Sequence, residues 1–152
     1  MALAPVETDR TALVAVDGAR LWAVLEDVAA YPGFWPWLRS FDGAELRPGA
    51  VWRGVIVVAG PLRLSIDVHL DAIATGQCVA ARIAGDLSGW ARIDVAPHAD
   101  GATLRLTAAL HPERRDLRAL TRWARPVAQA SHDRVISRAV AQLADHVAAP
   151  PV

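Results

Sequence analysis

The chain has 152 residues, about one domain by length, and its sixteen arginines balance sixteen acidic residues to no net charge, so it lacks the basic field of a broad nucleic-acid surface. Apolar residues make up 53%, too many for a disordered chain, and Cys78 stands alone, which excludes an internal disulfide framework and a thiolate zinc site. No apolar run reaches the roughly 18–20 residues of a membrane helix, and residues 1–10 carry Glu7 and Asp9 but no leader pattern, so the expectation is a cytoplasmic protein with residues 1–152 as a single domain.

Residues 9–16, rich in Thr, Leu and Val, predict a first strand. Asp17-Gly18 ends it, and Asp17 is placed to cap the helix that follows. In that helix Leu21, Trp22, Leu25 and Val28 recur at three- and four-residue spacing. Tyr31-Pro32-Gly33 breaks the pattern, and residues 34–38 read as one more helical turn. Residues 40–46 predict a weak strand and residues 51–58 a strong one. Across residues 62–73 Leu62, Leu64, Ile66, Val68 and Leu70 face one way, and Arg63, Ser65, Asp67, His69 and Asp71 the other. That period of two marks a sheet with one buried and one wet face. Residues 77–84 put Val79, Ala81 and Ile83 inside, and residues 90–95 put Ala91, Ile93 and Val95 opposite Trp90, Arg92 and Asp94. Asp100-Gly101 is a hairpin signal, followed by a last strand over 103–110. After His111-Pro112 the pattern turns helical: a short helix from about residue 113, then a long one with Pro126 in its first turn, or alternatively a single helix kinked at Pro126. Val135, Ile136, Ala139, Val140, Leu143 and Val147 form the long helix's apolar stripe.

The expected architecture is α+β, a curved antiparallel sheet of six to seven strands around one long C-terminal helix. A single helix seldom fills the concavity of so large a sheet, so an internal cavity is expected between them. Residues 17–27 followed by Tyr31-Pro32-Gly33-Phe34-Trp35-Pro36-Trp37-Leu38, with Asp100-Gly101-Ala102-Thr103-Leu104, Arg125-Pro126 and His132, resemble the START-like helix-grip (SRPBCC) superfamily in its polyketide cyclase/dehydrase branch. The resemblance spans nearly the whole chain. It implies the helix-grip fold and a hydrophobic small-molecule ligand, and it points to secondary metabolism. The chain has no Lys and no Asn beside abundant Ala and Arg, which fits a GC-rich bacterial genome.

Two catalytic candidates emerge. His132 shares the stripe of Ile136 and Ala139, and an imidazole facing an apolar cavity could act as general acid or base. The alternative is a histidine capping a backbone group. Tyr31 could be a second proton donor, or could pack at the end of the first helix. Trp35, Trp37, Trp52, Ile66, Val68, Ile83, Ile93, Trp123, Ile136 and Leu143 are the candidate ligand-binding residues, aromatic and aliphatic walls that suit a planar or polyene ligand. Arg53 joins them only if the strand over 51–58 turns that parity inward, where a buried cation needs an anion; the opposite parity sends it to solvent. No metal site and no cofactor is expected. Asp67-x-His69 is the nearest approach to a ligand pair, and it sits on the wet face.

Two surface features bear on partners. Arg114, Arg118, Arg122 and Arg125 would line one side of a continuous helix, a candidate dock for an acidic acyl carrier protein or simply a solvated face. An outward Trp90 would mark a contact with a second copy or another partner. The functional expectation is a polyketide cyclase/dehydratase-like protein that binds a hydrophobic molecule in its cavity. The alternative is a non-catalytic binding or carrier protein for a lipid, sterol or aromatic metabolite.

Overall fold

The structure is a computed structural model that describes residues 4–123 and 125–149. Strand β1, Val6–Val14, leads into α1, Gly18–Glu26, whose first turn is capped by the Asp17 carboxylate accepting from the Arg20 amide at 2.8 Å. A 3-10 turn, Val28–Ala30, and a single helical turn α2, Tyr31–Phe34, follow. Tyr31-Pro32-Gly33 therefore forms a helical turn rather than only ending one, because Pro32 sits where a helix needs no amide donor. Then come β2, Leu38–Arg39; β3, Val51–Ala59; β4, Leu62–Ala74; β5, Cys78–Gly85; β6, Leu87–His98; and β7, Gly101–Pro112. Helices α3, Arg115–Trp123, and α4, Arg125–Ala148, close the chain, with Pro126 in the first turn of α4 as its fixed φ requires.

The seven strands form one antiparallel sheet in the order β1-β7-β6-β5-β4-β3-β2. Residues 40–46 are not a strand. Pairing at this edge falls on Leu38 and Arg39, opposite Ile56 and Val55, and Ser40 then turns with φ 47° and ends the strand. The loop that follows is held by reciprocal bonds, the Asp42 amide to the Arg53 carbonyl and the Arg53 amide to the Asp42 carboxylate.

The sheet is strongly curved. Register shifts interrupt β3 between Val57 and Ala59 and β4 between Leu70 and Ala72, and such irregularities bend a strand. Gly85 and Gly89 bend the middle strands, with φ of 109° and 147°. A Cβ on Gly85 would stand 2.5 Å from the Ser65 carbonyl oxygen, and one on Gly89 would overlap the Ala109 carbonyl. Only glycine fits both the dihedral and the space.

Curvature brings both edges of the sheet to α4. On one side α4 lies along β1: Thr8 donates to Asp133 at 2.8 Å, Arg10 to Ser137 at 2.9 Å, and Gln129 to the Glu7 carbonyl at 2.7 Å. On the other, the segment leading into β2 sends the Trp35 indole N–H to the Ala139 carbonyl at 2.9 Å and the Trp37 indole N–H to Gln142 at 2.7 Å. The packed core beneath lies toward the α1 end, around Leu21, Leu25, Val28, Leu104, Leu143 and Val147. No helix among the described residues is long and apolar enough to cross a membrane.

Candidate functional site

Between the concave face of the sheet and α4 lies a cavity of about 240 Å³. Its position follows from the alternation along each strand. The inward residues Ile66, Val68 and Leu70 of β4, Val79, Ala81 and Ile83 of β5, Ala91 and Ile93 of β6, and Leu106, Ala108 and Leu110 of β7 form its floor. Val135, Ile136 and Ala139 of α4 form its roof. Space remains because Ala81, Ala91 and Ala108 stop at Cβ where larger side chains would reach toward α4, and Ala139 stops at Cβ on the α4 side.

An aromatic cluster walls one end. Tyr31 sits at its centre, with its ring 5.1 Å from Trp35, 5.8 Å from Trp52 and 6.0 Å from Phe41, the last pair stacked. Trp35 and Trp37 follow at 5.4 Å. Gly54 makes room for this wall, since a Cβ there would press on Leu38 at 3.1 Å and Phe41 at 3.3 Å.

The polar atoms of this wall are already engaged. Tyr31 donates its hydroxyl to the Leu25 carbonyl. Trp52 donates to the Glu45 carbonyl at 2.9 Å, and Trp35 and Trp37 are tied to α4 as described. Burial pushes the Tyr31 phenol well above its ordinary range, with the Asp27 charge adding to the shift. A phenol so held neutral, with its proton committed to a carbonyl, is a poor proton donor to a substrate.

Of the residues expected from sequence to bind ligand, Trp35, Trp37, Trp52, Ile66, Val68, Ile83, Ile93 and Ile136 come together around the cavity, and Tyr31 joins them. The other expectations fall elsewhere. Arg53 has the outward parity, with its side chain 72% exposed and its nearest carboxylate Asp67 at 3.9 Å. It is Trp52 that turns inward, being the larger apolar partner of that alternation. Leu143 is 1% exposed but belongs to the solid core one helical turn beyond the cavity. The Trp123 side chain lies outside the described residues. His132 sits on the stripe that faces the sheet, one turn before Ile136, but it is not part of the cavity wall. Its two ring nitrogens are enclosed without a hydrogen-bond partner. Burial holds its pKa below the ordinary 6.5; Asp133 opposes that shift and Arg10 adds to it.

Phe41 and Leu46 were missed as lining residues, because residues 40–46 form a loop folded over the cavity and carry no strand alternation. Of the four inward alanines, Ala81, Ala91 and Ala139 were legible as inward from sequence, though not as the cause of a void.

The polar surface is differently arranged from its sequence pattern. Arg114 precedes α3 and bonds Asp116 at 2.7 Å, Asp86 at 3.4 Å and the Arg63 carbonyl at 2.8 Å. The hydrogen bonds from Arg114 draw the Asp116 carboxyl down to about 2. Arg118 pairs with Glu113 at 3.0 Å. The expected arginine stripe is thus broken at the helix boundaries, with two of its members turned to carboxylates of the same chain, while the Arg125 side chain lies outside the described residues. Trp90 faces outward, 47% exposed, opposite Arg82 and Ala109. Among the described residues no three His, Cys, Asp or Glu side chains converge as metal ligands would.

The fold has close counterparts among solved structures. An aromatase/cyclase, ZhuI, from Streptomyces sp. R1128 superposes with a TM-score of 0.73 at 19% identity, covering 93% of this chain and 92% of its own. A START superfamily protein from Mycobacterium smegmatis gives 0.72 at 14% identity, over 93% and 96% of the two chains. A protein from Thermus thermophilus gives 0.70 at 15% identity, over 94% and 96%. Likeness at such identities establishes the helix-grip fold. No curated protein sequence matches the chain significantly. Residues 5–148 match the family described as polyketide cyclase / dehydrase and lipid transport. With the match running from before β1 to the last residue of α4, the chain belongs to the polyketide cyclase/dehydrase and lipid transport family.

Proposed function

We propose that this protein binds an apolar small molecule in the cavity between sheet and α4, and that it holds rather than transforms it. One observation carries this reading: each hydroxyl and indole N–H on the aromatic wall is already bonded to the protein's own carbonyls or to Gln142. A cavity that moved protons or stabilised an enolate would aim donors at the reacting atoms. This wall offers carbon faces instead, which suits retention by area burial. A transport role, one half of the family's description, needs no catalytic group. Native mass spectrometry of protein purified from its native host tests the reading. The expected result is a co-purifying apolar molecule released with its carbon skeleton unchanged after incubation. An empty protein that also ignores aromatic and lipid probes would sink it.

A second reading is catalytic, a cyclase or dehydratase like the aromatase/cyclase it superposes on. It is favoured by His132, an imidazole with two enclosed, unpartnered nitrogens one helical turn from the cavity roof. Incubation of the wild type and His132→Ala with the co-purifying molecule decides between the two. Turnover by the wild type that the variant loses while keeping its fold supports catalysis; no turnover by either leaves the binding reading standing.

A further inference from the structure

The cavity's size and the commitment of its polar atoms together restrict what it holds. A cavity of about 150 Å³ admits benzene. One of about 240 Å³ therefore admits about ten carbon atoms. The inward alanines 81, 91, 108 and 139 set that limit, since each extra methylene there would project into the void. The wall contributes no free hydrogen-bond donor, because Tyr31, Trp35, Trp37 and Trp52 all donate into the protein. Arg92, at the cavity margin, has its guanidinium held by Asp94 at 2.9 Å.

We infer that the ligand is a compact uncharged hydrocarbon of about ten carbons, of fused-ring or bicyclic shape, recognised by volume and aromatic stacking with no polar readout. This rests on the binding reading above. The inference excludes long acyl chains and polyhydroxylated multi-ring molecules as occupants lying wholly within the cavity, which is open on one side. A hydroxyl carried into it would lose its water and find no donor for its oxygen. A single hydroxyl escapes that loss by facing the opening, whereas two at opposite ends do not.

Equilibrium dialysis of the whole protein against naphthalene, 2,6-dihydroxynaphthalene and palmitate tests the inference. Naphthalene should bind tightest. The dihydroxy compound should bind about tenfold more weakly or worse, the factor that corresponds to about 1.4 kcal/mol, and palmitate should be weaker than naphthalene. Equal binding of the two ring compounds would show that the site reads hydroxyls and overturn the inference. Tighter binding of palmitate would overturn the size limit while leaving a hydrophobic-binding protein. No binding of any of the three would overturn both this inference and the reading beneath it. Ala91→Leu supplies a separate check. Its added carbons should expel naphthalene and still leave room for benzene, and retained benzene binding shows that the variant folds. Unchanged naphthalene affinity in Ala91→Leu would place the site elsewhere.

Discussion

Replacing His132 with Leu should stabilise the protein and remove part of its acid sensitivity. A neutral imidazole carries one N–H donor and one acceptor nitrogen, and here both are enclosed without partners. An unsatisfied buried polar group costs about 1–3 kcal/mol, and an apolar side chain of similar size avoids that cost. For a chain of this length each kcal/mol moves Tm by about 2–4 °C. The pH dependence has a definite sign. Burial lowers the folded-state pKa below 6.5, so the unfolded chain takes up a proton first as pH falls. Stability is full above the unfolded pKa and is lost as pH drops below 6.5 toward the folded value. Asp133, whose carboxyl is lowered from 3.8 chiefly by the Thr8 hydroxyl, loses its contribution only further down, so the two windows separate. Urea unfolding at pH 8, 7, 6 and 5 measures both effects. The variant should be more stable at pH 8 and its advantage should widen toward pH 5. A variant less stable than wild type at pH 8, with an unchanged slope toward acid, would refute the reasoning and show that His132 is satisfied in solution.

Tyr31→Phe removes the bond to the Leu25 carbonyl and should cost about 1 kcal/mol. In the wild type, spectrophotometric titration should show one phenolate that fails to form at pH 10, and stability should decline as pH rises above that value, because the folded phenol keeps its proton longer than the unfolded one. Leu143→Ala should cost about 2–5 kcal/mol in urea unfolding without altering naphthalene binding, since Leu143 is fully buried in the core outside the cavity. Gly89→Ala should cost about 3 kcal/mol or prevent folding, from a φ of 147° together with a Cβ that overlaps the Ala109 carbonyl. A wild-type melting temperature in that variant would mean the bend in β6 is not required.

Much of this protein is written locally. Alternation places Ile66, Val68, Ile83 and Ile93 on one face of their strands, and a period near 3.6 places Ile136 and Ala139 on one face of α4; both patterns follow from backbone geometry that any reader of the chain can count. The strand over 51–58 already shows the limit. Its two parities are both largely apolar, and only pairing of Trp52 with Val68 across the sheet turns Arg53 outward. Residues 40–46 mark the same limit: a left-handed Ser40 and the contacts of Asp42 with Arg53 make a loop where composition suggested a strand.

What the tertiary structure alone decided is the chemistry of the cavity. Trp35 meets the Ala139 carbonyl across 104 residues of sequence and Trp37 meets Gln142 across 105, so no local pattern could reveal that their donors are committed. His132 is the converse case. Its stripe position was legible, but its lack of partners depends on what β1 and the rest of α4 bring to it. Ala81, Ala91 and Ala139 were legible as inward-facing, yet a small side chain leaves a void only when both walls are held apart. That separation comes from a curved sheet whose two edges are bonded to a single helix.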